Sequence, residues 1–137
     1  MSVVKELLRA ESDGSISFGD HSLDSKAKLE DFRHGDDLLK VKTFKEITRL
    51  EKNEIFLYES VPGTSVTGFK ETEGGMSFSV EGPEDAQITV GLEPDTEYEV
   101  IVGDSDAGRM KTNLGGKLAM SVELAGIGEV KVEIRKI

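Results

Sequence analysis

His21 and His34 are the two histidines of this 137-residue chain, and so its only side chains whose ordinary pKa suits proton transfer near neutral pH. His21 stands in Gly19-Asp20-His21-Ser22, a run that holds the residue types of a Ser, His and Asp set. Neighbours on an extended strand project to opposite faces, so this spacing does not assemble them. His34 sits beside Gly35 in a turn signal, and both histidines are read as ordinary surface or turn residues. Carboxylates pair at Asp36-Asp37, Glu84-Asp85 and Asp104 with Asp106, yet 27 acidic residues make such pairs frequent by chance. Glycoside hydrolysis needs two carboxyls facing each other across a sugar cleft, usually floored by aromatic rings, and the chain has no Trp and two Tyr.

Asp104-Ser105-Asp106-Ala107-Gly108 places oxygen ligands at the first and third positions of a calcium loop. Positions five and twelve fall on Gly108 and Gly115, so the second half of that loop has no carboxylates, and the run reads first as a turn and second as a weak calcium site on Asp104 and Asp106. Asn113-Leu114-Gly115-Gly116-Lys117 is rich in glycine, but a strand pattern follows it where a phosphate cradle would need a helix N-terminus. It reads as a loop between strands. No cofactor is expected, and with no cysteine, thiol chemistry and disulfides are absent.

The groups that remain must be positioned by strands. Hydrophobic residues at 36% and charged residues at 32% place the chain among globular proteins. A net charge of −10, with arginines dispersed at 9, 33, 49, 109 and 135, opposes binding to nucleic acid or anionic lipid. The first nine residues carry no long apolar core and no small-residue cleavage pattern, and no segment approaches the roughly 20 apolar residues of a membrane helix. The expectation is a cytoplasmic protein with no nucleic-acid or membrane partner.

Period-two alternation bounded by Gly, Asp, Asn and Pro runs through almost the whole chain. A three-residue loop at Ser12-Asp13-Gly14 sets Leu8 opposite Phe18 and Ala10 opposite Ile16, gathering apolar residues on one face. Residues 24–33 are compatible with a helix or a strand, and strands are preferred there, followed by a strand through Leu39, Val41 and Thr43. Ile47–Leu50 and Ile55–Tyr58 flank Glu51-Lys52-Asn53-Glu54 as a further hairpin. Val61-Pro62-Gly63-Thr64 interrupts any continuous strand and is the candidate boundary between an N-terminal hairpin region, 1–60, and a second domain, 64–137. Beyond it, Gly74-Gly75 predicts a two-residue turn with Phe69 opposite Val80 and Glu71 opposite Phe78. About seven short strands follow Thr64, the content of a minimal two-sheet sandwich.

Leu92-Glu93-Pro94-Asp95-Thr96-Glu97-Tyr98-Glu99-Val100 resembles the segment of fibronectin type III and related immunoglobulin-like sandwiches in which a Leu, a Pro and a Tyr open a core strand. The resemblance implies that the Tyr98 hydroxyl caps a nearby backbone group at a corner between sheets. The buried Trp of that pattern has no counterpart here. Ser15-Ile16-Ser17-Phe18-Gly19-Asp20, Lys40-Val41-Lys42-Thr43-Phe44, Tyr58-Glu59-Ser60-Val61-Pro62-Gly63 and Met110-Lys111-Thr112-Asn113-Leu114-Gly115-Gly116-Lys117-Leu118 are similar to a family of short uncharacterised bacterial proteins. Some of that family carry an endosialidase label, which implies glycan hydrolysis.

The sequence as a whole predicts an all-β fold: an antiparallel, immunoglobulin-like or fibronectin-like sandwich in the C-terminal half, preceded by β-hairpins that pack on it or extend it. It predicts a non-catalytic structural or interaction protein acting through its β surface, self-associating or binding another protein. The terminal strand, residues 129–137, is the expected contact if it lies at a sheet edge. A carbohydrate-binding module is the alternative, with Tyr58 and Tyr98, and after them Phe56 and Phe69, as stacking groups. A glycan hydrolase is the third reading, from the family resemblance.

Overall fold

The computed structural model describes residues 3–137, so Met1 and Ser2 of the N-terminal reading lie outside the described residues. Thirteen strands follow one another: β1 (Leu8–Ala10), β2 (Ile16–Phe18), β3 (Ala27–His34), β4 (Asp37–Phe44), β5 (Ile47–Lys52), β6 (Ile55–Val61), β7 (Ser65–Thr72), β8 (Gly75–Glu81), β9 (Ala86–Gly91), β10 (Glu97–Val102), β11 (Ser105–Lys111), β12 (Lys117–Val122) and β13 (Val130–Lys136). They form two antiparallel sheets that do not close into a barrel. One is seven-stranded, in the order β1-β2-β7-β8-β13-β10-β11, and the other six-stranded, in the order β12-β9-β6-β5-β4-β3. The segment before Pro62 extends both sheets, because β2 pairs with β7 and β6 with β9.

Local turn chemistry accounts for most of the hairpins. Gly14 at φ 89° closes the first loop, and the pairs are Leu8 with Phe18 and Ala10 with Ile16, as burial of one face requires. Asn53 and Glu54 both take positive φ, 52° and 68°, in a two-residue turn of type I′. Residues 27–34 are strand, and Leu39, Val41 and Thr43 of β4 all face inward. The β7–β8 register departs from expectation. The turn is Glu73-Gly74, Thr72 pairs with Gly75, and Glu71 with Met76. Gly75 belongs to β8, where a Cβ would lie 1.8 Å from the Ile134 carbonyl oxygen of β13, so close approach of backbones decides its place. A bulge at Gly68 (φ 63°) absorbs the shift, and Val66 then pairs with Val80 while Phe69 pairs with Ile16. Both side chains stay buried.

Between the sheets, Phe18, Tyr58, Phe69 and Phe78 meet at centroid distances of 5.2 Å (Phe18–Tyr58), 5.6 Å (Tyr58–Phe78) and 5.7 Å (Phe69–Phe78). Aromatic pairs of this kind contribute about 1 kcal/mol each beyond burial of their area.

Where the chain passes from β6 in one sheet to β7 in the other, the backbone of Thr64 is buried and has left the ladder. The Thr48 hydroxyl takes over: it accepts from the Thr64 N–H at 3.1 Å and donates to the Thr64 carbonyl at 2.7 Å. That uses its single proton, so the Thr43 hydroxyl donates to Thr48 (2.8 Å) while accepting from the Asp20 N–H (2.9 Å). Tyr58 Oη and Ser60 Oγ both meet Thr64 Oγ1 at 2.8 Å. Thr48→Val keeps the shape but orphans both backbone groups of Thr64. It is expected to destabilise the protein by about 3 kcal/mol in urea unfolding, whereas Thr89→Val, on the solvent side of β9, changes stability by less than about 0.5 kcal/mol.

Candidate functional site

The side chains that the sequence offers for chemistry are kept apart. Asp20 accepts from the Ser22 N–H at 3.0 Å and from the Ser22 hydroxyl, and no hydrogen bond links it to His21. Contrary to the surface reading, His21 is buried, only 4% exposed, and its Nε2 has no hydrogen-bond partner. The tight path of Gly19 (φ 97°) past Thr64 and Ser65 turns it inward. Burial pushes the His21 imidazole below its usual value, against the opposing pull of Asp20 and Glu81. His34 is half-buried at the end of β3, beside the turn glycine Gly35.

Gly103 and Asp104 form the two-residue turn between β10 and β11. The Asp106 carboxylate accepts from the Gly108 N–H at 2.8 Å, which occupies it in the local bulge. Among the described residues, no group of three or more His, Asp or Glu is placed to hold a metal ion.

Tyr58 is fully buried and Tyr98 nearly so, and Phe69 lies inside with them. The Tyr98 hydroxyl accepts from the Glu93 N–H at 3.2 Å, where the chain crosses from β9 in one sheet to β10 in the other. Phe56 is half-buried, with Arg49 at 5.3 Å and Lys117 at 4.8 Å from its ring centroid. Tyr58, Tyr98 and Phe69 thus present no open face for stacking, and Phe56, half-buried, lies against two cations. Phe56, Leu92 and Tyr98 line a cleft of about 510 Å³ at one end of the sandwich. The ion pairs Lys52–Glu71 and Lys136–Glu93, both 2.6 Å, hold charged residues of that cleft together.

Tertiary structure also gathers cations that are scattered in sequence. Lys28 pairs directly across from Lys42, and Lys42 across from Arg49. Glu51 and Glu59 contact Arg49 at 3.1 and 3.0 Å, and Glu30 stands 3.6 Å from Lys40, so this face carries mixed charge.

The sheet edges differ most from one another. β13 is not an edge, contrary to the condition set for the terminal strand: it lies between β8 and β10, and its backbone is paired on both sides. The edges are β1 and β11 in one sheet and β3 and β12 in the other. β1 has only three residues. β3 is bulged between Leu29 and Phe32, with Asp31 at φ 56°, and carries Lys28, Glu30, Asp31 and Arg33. β11 is bulged opposite Val100 and Ile101 and carries Asp106, Arg109 and Lys111. Shortness, bulges and charges are the devices that stop an edge from adding a foreign strand.

β12 has none of them after Lys117. Its register on β9 is unbroken from Lys117–Gly91 to Val122–Ala86. Leu118, Met120 and Val122 face the core, and the exposed positions between them hold only Ala119 and Ser121. Leu114 (85% exposed) and Ile127 (56% exposed) flank the strand at its two ends. The period-two pattern of 118–122 marks a strand, but nothing in it marks an edge. Comparison with known proteins finds no matching family model, no matching curated protein and no matching solved structure.

Because burial holds the His21 imidazole below its usual value in the fold, it protonates more readily when unfolded, and the unfolded state binds more protons as pH falls below the usual value of 6.5. Hydrogen bonds hold the carboxylates of Glu11, Asp13, Asp85 and Glu133 below their usual values, 4.5 at the highest, so their contributions are lost only at lower pH. The melting temperature is therefore expected to fall between pH 6.5 and 5 in the wild type and to change less in His21→Gln, as read by calorimetry. Equal slopes for the two proteins would refute the assignment.

Proposed function

We propose that this is a non-catalytic interaction protein that self-associates by strand addition along β12. The observation that supports this reading is the stretch Leu118–Val122, the part of the four described edges that combines unbroken register with no charged side chain. Backbone N–H and C=O groups on the outer side of an edge strand seek partners, and another strand supplies them in register. Leu114 and Ile127 add apolar surface at the ends of the same edge. The chemistry of the rest of the molecule is in keeping with a binding role, since the neutral-pH bases are separated and the aromatic rings are engaged inside or by cations. We also read residues 64–137 as an immunoglobulin-like sandwich. The Tyr98 hydroxyl at a sheet-to-sheet corner supports that reading.

Light scattering coupled to size exclusion tests the reading directly. The wild type is expected at a multiple of 14.9 kDa. Ala119→Lys combined with Ser121→Lys, both at exposed positions, gives β12 the charges that the other long edges carry and is expected to return the mass to that of one chain. An assembly unchanged by the two lysines would show that association runs through another surface.

A further inference from the structure

Resting on that reading of β12, we infer that its occupant is the β12 strand of a second copy, antiparallel, about a two-fold axis through Met120. Antiparallel partners directly opposite each other point to the same side of the sheet. Inward residues must therefore face inward residues, and an axis between two residues would set core positions against solvent positions. Asn113 already occupies the N–H of Lys117 with its side-chain oxygen (2.9 Å) and the Lys117 carbonyl with its own N–H (3.0 Å), so the open stretch is 118–122, and among axes through a residue the one at Met120 uses all of it. It pairs Leu118 with Val122 on the buried side and Ala119 with Ser121 on the exposed side. It also sets Lys117 and Glu123, opposite charges at exposed positions, across from each other just beyond each end of that stretch. An axis through Ala119 sets Lys117 against Ser121, and one through Ser121 sets Glu123 against Ala119, so both leave the charges without complement.

The edge is thus self-complementary in length, facing and charge, as an isologous contact requires. Pairing along it joins two six-stranded sheets into one continuous sheet across the dimer. The small Ala119 and Ser121 side chains leave the outer surface level at the seam. A contact of this length belongs to the small end of specific interfaces, so dimerisation is expected to depend on concentration.

Charge reversal tests the register without touching the core. At about 0.15 M salt, where charges more than about 8 Å apart are screened, sedimentation equilibrium over a concentration series reads the dissociation constant. Lys117→Glu alone, or Glu123→Lys alone, sets like charges opposite each other twice per dimer and is expected to weaken association by at least about tenfold. The double variant Lys117→Glu/Glu123→Lys restores the pairing with the charges exchanged and is expected to return to within about threefold of wild type. A double variant as weak as the single ones, or a wild type that stays at 14.9 kDa throughout, overturns the inference. If the reversals do nothing while Ala119→Lys/Ser121→Lys still abolishes assembly, the edge is used in another register, and only the two-fold arrangement falls. If the two lysines also do nothing, the edge reading itself falls.

Discussion

The hydrogen bonds between the Thr48 hydroxyl and both backbone groups of Thr64 hold the point at which the chain first returns from one sheet to the other. A strand that leaves its sheet gives up its ladder, and a buried N–H or C=O left alone costs as much as a lost hydrogen bond or more. No water reaches Thr64, so side chains from neighbouring strands stand in for the missing partner. The corner is also crowded. A Cβ at Gly63 would lie 2.0 Å from the Phe44 carbonyl oxygen, and one at Gly19 would lie 2.5 Å from that of Thr64. Sheet registers on both sides are thereby tied to one small volume.

The same solution recurs wherever the chain changes sheets. Tyr98 caps Glu93 between β9 and β10, and Thr112 donates to the Glu93 carbonyl at 2.6 Å while accepting from the Thr96 N–H. Asp85, at the start of β9, accepts from the N–H groups of Leu124 and Ala125 at 2.9 and 3.0 Å, which joins two crossings and holds its carboxyl below the usual range. A sandwich with this many crossings depends on side chains that imitate a strand. Its polar interior is concentrated at such corners, and among the described residues His21 Nε2 and Ser65 Oγ are the buried side-chain atoms left unpartnered.

Fixing the crossings also decides which strands end up outermost. β3 and β11 carry bulges and charge, whereas β12, held on one side by β9, presents its other side with little to protect it. The proposed function follows from that asymmetry in backbone satisfaction.

What the sequence determined by itself was local. Alternation, Gly14, the hairpin connection within Glu51-Lys52-Asn53-Glu54 and the Pro62-Gly63 break place the strands and most of their hairpins, because side-chain facing and turn geometry act over two to five residues. Thr43 was legible as an inward polar group from its row with Leu39 and Val41, although its partners were not. Tertiary structure alone decided the rest. Whether β13 is central or an edge depends on β8 and β10, which are distant in sequence. The displaced β7–β8 register follows from the approach of Ile134 to Gly75, the burial of His21 from the path of Gly19, and the exposure of β12 from the lack of a strand beyond it. Each is a non-local contact, and a period-two pattern is the same whether a strand has one neighbour or two.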